Sequence, residues 1–184
     1  HKDYELMIAV RLSAQCTDAR VNLITPALFD ALPTPEAFAT AEVEQVEELI
    51  KSCGLYHSKA KDLVALGKVL TQKHNSKVPD NMEELQTLPG VGRKSANVIM
   101  LEAFHNPQGI AVDTHAKRIS NRIGLSKEAE PEKVEQDLLK QIPKEYYYDV
   151  NHLLVWHGRA ICDARKPKCE ECPVKKYCDE YNKK

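Results

Sequence analysis

Four of the six cysteines crowd near the end of the sequence: Cys162, Cys169, Cys172 and Cys178, spaced C-x6-C-x2-C-x5-C. Four thiolates on one short, loop-rich segment can hold a 4Fe–4S cluster or a tetrahedral zinc ion. Thiolate softness does not separate the two, because both metals accept four cysteines. No stretch has the basic start, apolar middle and small-residue end of a secretory signal. Such a cluster therefore reads as a metal site rather than as disulfides. Cys16 and Cys53 stand apart and read as small helix residues without a function.

A second candidate is a lysine and a carboxylate about twenty residues apart, Lys94 and Asp113. A lysine amine can attack an electrophilic carbon and leave a Schiff base that acts as an electron sink. A carboxylate can take the amine's proton and stabilise positive charge building on the reacting carbon. Lys94 falls at the first turn of a helix beside Arg93, two features that disfavour its ammonium form. A helix and a returning loop between the two residues would let both face one cleft. Each also has a plainer reading: Lys94 as a phosphate contact, Asp113 as an N-cap.

The stretch before Lys94 is the most informative in the chain. Leu88-Pro89-Gly90-Val91-Gly92-Arg93-Lys94 follows a helix ending near Leu85 and opens a new helix at about Gly92. Gly90 and Gly92 allow a tight turn, a close approach and positive φ. The free N–H groups of the new helix start, with the positive dipole end behind them, hold a phosphate without regard to base sequence. Gly-Val-Gly alone would equally suit a plain helix–turn–helix corner.

The elements around these residues read as helices. Val43, Val46, Leu49 and Ile50 share a face, as do Leu63, Leu66 and Leu70; Ala96, Ile99, Met100 and Ala103; Ala116, Ile119 and Ile123; and Val134 and Leu138. These stripes predict core. Short Pro- and Gly-marked breaks separate them, at Leu32-Pro33-Thr34-Pro35, Ser52-Cys53-Gly54, Lys77-Val78-Pro79-Asp80 and His105-Asn106-Pro107. Tyr146-Tyr147-Tyr148 sits inside a helical stretch running to Trp156. The fold class is all-α. The break around 106–109 divides residues 1–107, which hold the hairpin at about 81–104, from residues 108–184.

Composition limits the partners only weakly. The 184 residues are 42% hydrophobic and 29% charged, as in an ordinary globular protein, with a net charge of −1 that gives no vote for nucleic acid. From Trp156 onward, 8 Lys or Arg face 5 Asp or Glu, a mild basic bias. No apolar run approaches the roughly 18–20 residues of a membrane span. A cytoplasmic protein, nucleoid-associated in a bacterium, with no membrane partner, is expected. The sequence opens with His1 rather than Met, so residues upstream are expected to be missing.

The hairpin string resembles the helix–hairpin–helix DNA glycosylase superfamily, and its continuation Ser95-Ala96-Asn97-Val98 resembles the endonuclease III family. Ala111-Val112-Asp113-Thr114-His115 and every interval of the cysteine run resemble that family too. The resemblance runs from Leu12 to Cys178 and implies a two-lobed fold, a six-helix barrel plus an iron–sulfur cluster domain. It implies base-excision repair: removal of oxidised pyrimidines from double-stranded DNA through a Lys94 Schiff base partnered by Asp113, then cleavage of the abasic site by β-elimination. It implies a 4Fe–4S cluster on the four cysteines, which need do no redox chemistry but shapes a loop bearing Arg165, Lys166 and Lys168 toward phosphates. Those charges would otherwise be merely solvated. Leu88, Gly90, Gly92 and Arg93 form the DNA-binding hairpin by the same resemblance. A duplex base must be rotated out to reach such a site. The segments Leu12–Asp18 and Gly54–Ala60 imply that Gln15 enters the stack and Leu55 wedges the opposite strand, against plainer readings as a helix-end glutamine and a core leucine. His115 lines the pocket or is a surface histidine. A monomer acting on damaged or abasic duplex is expected.

The chain departs from the family in two places. Its start is short by about one helix of the cluster domain. Gln86 and Thr87 stand where the family often has an acid before the hairpin. Two alternatives stay open: a non-catalytic helix–hairpin–helix module with a structural metal, and an adenine-mismatch glycosylase relative. Lys94 and Asp113 together argue against both.

Overall fold

The computed structural model describes residues 3–183. Among them there is no strand, and the chain falls into two compact units, 1–105 and 106–184. No helix among the described residues is long and apolar enough to cross a membrane.

The first unit is built from α1 (Asp3–Ser13), α2 (Asp18–Ala31), α3 (Pro35–Thr40), α4 (Val43–Ile50), α5 (Tyr56–Lys73), α6 (Met82–Leu85) and α7 (Arg93–Glu102). Local chemistry sets most of the starts. Thr17, Thr34 and Asn81 each accept a bond from a backbone N–H three residues on, and Pro35 takes the first position of α3. Helix α5 is the central element, carrying Ala60, Leu63, Val64, Leu66 and Leu70 into one core with Met7, Leu12, Leu28, Phe38, Val46, Ile50, Ile99 and Met100. Residues predicted as core from their spacing are buried or half-buried there. Burying a side chain of this size contributes about 1.5–3 kcal/mol. Cys16 and Cys53 depart from the expectation of helix residues. Both lie in the turns that follow α1 and α4, where helical backbone has ended.

The second unit contains α8 (Thr114–Ile123), α9 (Pro131–Gln141), α10 (Tyr147–Ala160) and α11 (Asp179–Asn182), with single 3-10 turns at Lys144–Tyr146, Cys169–Glu171 and Lys175–Tyr177. Ile110, Val112, Ala116, Ile119, Val134, Leu138, Tyr147 and Leu154 make its separate core. Asn151, inside α10, binds the extended segment before α8 by accepting from Ala111 N at 2.7 Å. Helix α8 ends at Gly124, whose φ of +96° favours glycine. A Cβ there would also sit 2.6 Å from Asp179 Cγ, so glycine lets α11 close onto the end of α8.

Candidate active site and cluster loop

The hairpin sits in the first unit. Helix α6 is one turn, Leu88 carries the chain into the bend, and Val91 N donates back to Leu88 O at 3.1 Å. Leu88 and Val91 are buried, so Leu88 offers a ligand only its backbone. Gly90 has φ +73°, and a Cβ on it would lie 2.6 Å from Arg11 Cδ and 3.0 Å from Asp62 Oδ2. Arg11 Nε donates to Asp62 Oδ2 at 2.8 Å, so the turn is seated on an ion pair between α1 and α5. Gly92 caps α7 with extended backbone, no side-chain bond and open space where a Cβ would be. Its exposed position leaves the first N–H groups of α7 without a capping side chain, as an anion site at a helix N-terminus requires. Arg93 is half-buried and Lys94 is exposed on this first turn.

Two further turns of the same unit carry the residues expected to enter DNA. Gln15 is exposed just beyond α1 with φ +52°, and Leu55 is 54% exposed with φ +60° at the start of α5. Leu55 is therefore not a core residue. Positive φ is uncommon for both types and costs about 1–3 kcal/mol each unless the surroundings hold it. The surroundings do: Cys16 N donates to Ser13 O, Lys59 N and Ser58 Oγ donate to Leu55 O, and a Cβ on Gly54 would lie 3.0 Å from Gln15 O.

In the second unit Asp113 is the N-cap of α8, its Oδ1 accepting from Ala116 N at 2.7 Å. The capping reading thus describes one of its oxygens. The carboxylate is half-buried. His115 is no free surface histidine: its Nδ1 lies 3.2 Å from Arg118 Nη2, and its ring packs on Gly158.

The four cysteines line one cavity with Arg122, Ile123, His157, Ile161, Pro167 and Tyr181. Four thiols around one space suit a multi-iron cluster. Walls of Ile, Pro and Tyr keep the space apolar. Arg122 Nη1, 3.5 Å from Cys162 Sγ, offsets thiolate charge. His157 Nε2 stands 3.6 Å from Cys172 Sγ, and burial lowers the His157 pKa. The donor set fits an iron–sulfur cluster.

Sequence reasoning missed Arg118 and Arg122, which shape the loop. Arg118 donates from Nε and Nη2 to Cys162 O at 3.2 and 2.9 Å, and from Nη2 to Gly158 O at 3.1 Å. Arg122 donates to Asp163 O at 2.7 Å and Ala164 O at 2.9 Å. Gly158 O belongs to the last turn of α10, where carbonyls lack helical partners, and the other three carbonyls lie in the loop beyond it. Within the loop, Asp163 Oδ1 accepts from Arg165 N and Lys166 N at 2.9 and 3.1 Å, and these bonds hold the Asp163 pKa low. Arg165, Lys166 and Lys168 are left exposed, and Lys168 also borders the cysteine cavity. The local signal was slight: Arg118 and Arg122 stand four apart on α8, flanking the stripe of Ala116, Ile119 and Ile123, and nothing near them in sequence names their partners.

Known proteins resemble the chain over nearly all of its length. Residues 8–144 match the family model described as HhH-GPD superfamily base excision DNA repair protein. Residues 162–178 match the iron-sulfur binding domain of endonuclease III. Endonuclease III of Rickettsia conorii is 48% identical over 179 residues, covering 97% of this chain and 85% of the relative. That of Escherichia coli is 45% identical over 181 residues, covering 98% and 85%. The solved structure of a trapped endonuclease III–DNA covalent intermediate superposes with a TM-score of 0.93 at 43% identity, covering 100% of this chain and 86% of the other. A family model spanning most of the chain, and relatives this similar over most of their own length, place it: the chain belongs to the endonuclease III family of base-excision DNA repair proteins.

Proposed function

We propose that the chain removes oxidised pyrimidines from double-stranded DNA and cleaves the resulting abasic site, with Lys94 as nucleophile and Asp113 as its acid–base partner. The observation that carries this reading is Lys94 itself, an exposed amine on the first turn of α7, next to an uncapped helix start that suits a phosphate. A module that only gripped DNA would need the helix start and not the amine. In the proposed reaction Lys94 Nζ forms a bond to C1′ while the C1′–base bond breaks. Asp113 accepts the proton that the amine sheds and faces the positive charge on the sugar. Loss of a C2′ proton then expels the 3′ phosphate. Gln15 and Leu55 fill the stack that the extruded nucleotide leaves, and the hairpin with Arg165, Lys166 and Lys168 grips phosphates. A bound 4Fe–4S cluster on Cys162, Cys169, Cys172 and Cys178 supplies rigid iron–thiolate links that fix the loop. We further infer a monomer acting in the cytosol on nucleoid DNA. The test is borohydride trapping on duplex with an abasic site. Parent protein is expected to give a covalent complex, and Lys94→Ala none, with DNA affinity retained. Trapping by Lys94→Ala would move the nucleophile elsewhere.

A further inference from the structure

Cys16 and Cys53 are absent from the mechanism above, yet they lie within the two turns that carry Gln15 and Leu55. They also have a buried lysine beside them. Lys59 is fully buried, and its Nζ donates to Leu12 O at 2.7 Å and to Cys53 Sγ at 3.1 Å. Cys53 Sγ in turn lies 3.4 Å from Leu12 O. Gly54, the residue after Cys53, packs against the carbonyl of Gln15, the residue before Cys16, so the two turns touch; burial and then the Cys16 thiol hold the Cys53 pKa up. Cys53 is 2% exposed, whereas Cys16 is only half-buried. With four cysteines given to the cluster, these are the two remaining thiols of six.

We propose that Cys16 and Cys53 form a hydroperoxide-sensitive dithiol whose reversible disulfide ties the two DNA-entering turns together and weakens DNA binding. The accessible thiol reacts first. Cys16 sulfur bonds to one peroxide oxygen, the O–O bond breaks, and water (or alcohol, from an organic hydroperoxide) leaves, giving a sulfenic acid. Cys53 sulfur then bonds to Cys16 sulfur, the S–O bond breaks, and the Cys53 proton departs with the hydroxide as water. Two thiols are oxidised by two electrons and one peroxide is reduced; an external dithiol reverses the step. Burial pushes the Cys53 thiol up and so protects it from direct attack, while Lys59 pulls the other way and favours the thiolate once Cys16 is oxidised. Bond formation draws Cys53 off Lys59 Nζ and Cys16 inward. Gln15 and Leu55, each at positive φ and one and two residues from the bonded cysteines, are expected to shift with them. That consequence rests on the proposed role of these two side chains at DNA.

The experiment uses reduced, cluster-loaded protein without air. It is treated with tert-butyl hydroperoxide, and the cluster's visible absorbance is followed to exclude its loss. A non-reducing tryptic digest is expected to join the peptides Leu12–Arg20 and Ser52–Lys59. Two titratable thiols disappear. Affinity for abasic-analogue duplex is expected to fall about tenfold, the loss of about 1.4 kcal/mol of contact, and dithiothreitol restores it. Cys16→Ser and Cys53→Ser should bind as the reduced parent does and ignore the oxidant. Absence of the joined peptide overturns the proposal, as does an equal affinity loss in Cys16→Ser. A joined peptide with unchanged affinity also overturns it. Gln15→Ala and Leu55→Ala in reduced protein then show where the fault lies: normal binding by both means that the reading of the turns has failed, not the thiol chemistry.

Discussion

Substituting valine for Gly92 isolates the hairpin's proposed contact with DNA from its folding. Gly92 has φ −89° and ψ 179°, extended backbone that valine prefers, and nothing lies within 4 Å of a Cβ there. The fold should therefore tolerate the change within about 0.5 kcal/mol, as at an ordinary surface position. The isopropyl group would cover the N–H groups at the start of α7. Losing one charge-assisted backbone bond to phosphate costs about 1.5–3 kcal/mol, or roughly 10- to 150-fold in Kd. Fluorescence anisotropy on undamaged, lesion-bearing and abasic-analogue duplexes should give the same factor on all three, because a phosphate contact carries no base information. The melting temperature should stay put. Gly90→Ala supplies the contrast: φ +73° and the Arg11 side chain make it a folding defect, expected at about 1–3 kcal/mol. Normal affinity in a well-folded Gly92→Val protein would refute the phosphate role, and a loss confined to one lesion would point to base recognition instead.

Three further outcomes are expected. Asp113→Asn keeps the bond to Ala116 N, since Asn also caps, and so should melt normally, yet excise damaged bases slower by two to three powers of ten, about 3–4 kcal/mol of transition-state stabilisation; stopped-time excision assays decide, and a normal rate would leave Asp113 as a cap alone. Arg118→Met strips donors from Cys162 O and Gly158 O and should hasten chelator-driven loss of the cluster's visible absorbance several-fold. Removing the cluster should raise amide exchange across 161–178 while leaving α5 protected, because α5 belongs to the separate core of the first unit; equal loosening of both would overturn that separation.

Where a property follows from local spacing, the sequence carried it. The stripe on α5, the cap at Asp113 and the hairpin glycines all act within a turn or two of themselves. Residues whose partners are distant in the chain were illegible. Gly90 faces Arg11 and Asp62, and nothing near Gly90 in sequence names either. Arg118 reaches a carbonyl 44 residues away. Leu55 reads as an apolar residue fit for the core, but its neighbours hold it at positive φ and 54% exposed. Cys16 looked like a small helix residue because its turn has neither proline nor glycine, whereas the break at Ser52-Cys53-Gly54 already marked the turn that holds Cys53.

Helix α8 links the cysteine loop to the carboxylate proposed for the chemistry. Its first residue follows Asp113, whose Oδ1 fixes the helix start. Its next turns bear Arg118 and Arg122, which grip the carbonyls of Gly158, Cys162, Asp163 and Ala164. Cys178 Sγ reaches back to Arg122 O at 3.3 Å, and Gly124 admits Asp179 against the helix end. One ten-residue helix thus joins the carboxylate at its start to the thiol loop along its side and end. A cap and an acid–base group are not competing descriptions of Asp113. The bond through Oδ1 sets the carboxylate's direction, and a group must be held in place before removing its charge can cost a rate rather than a fold.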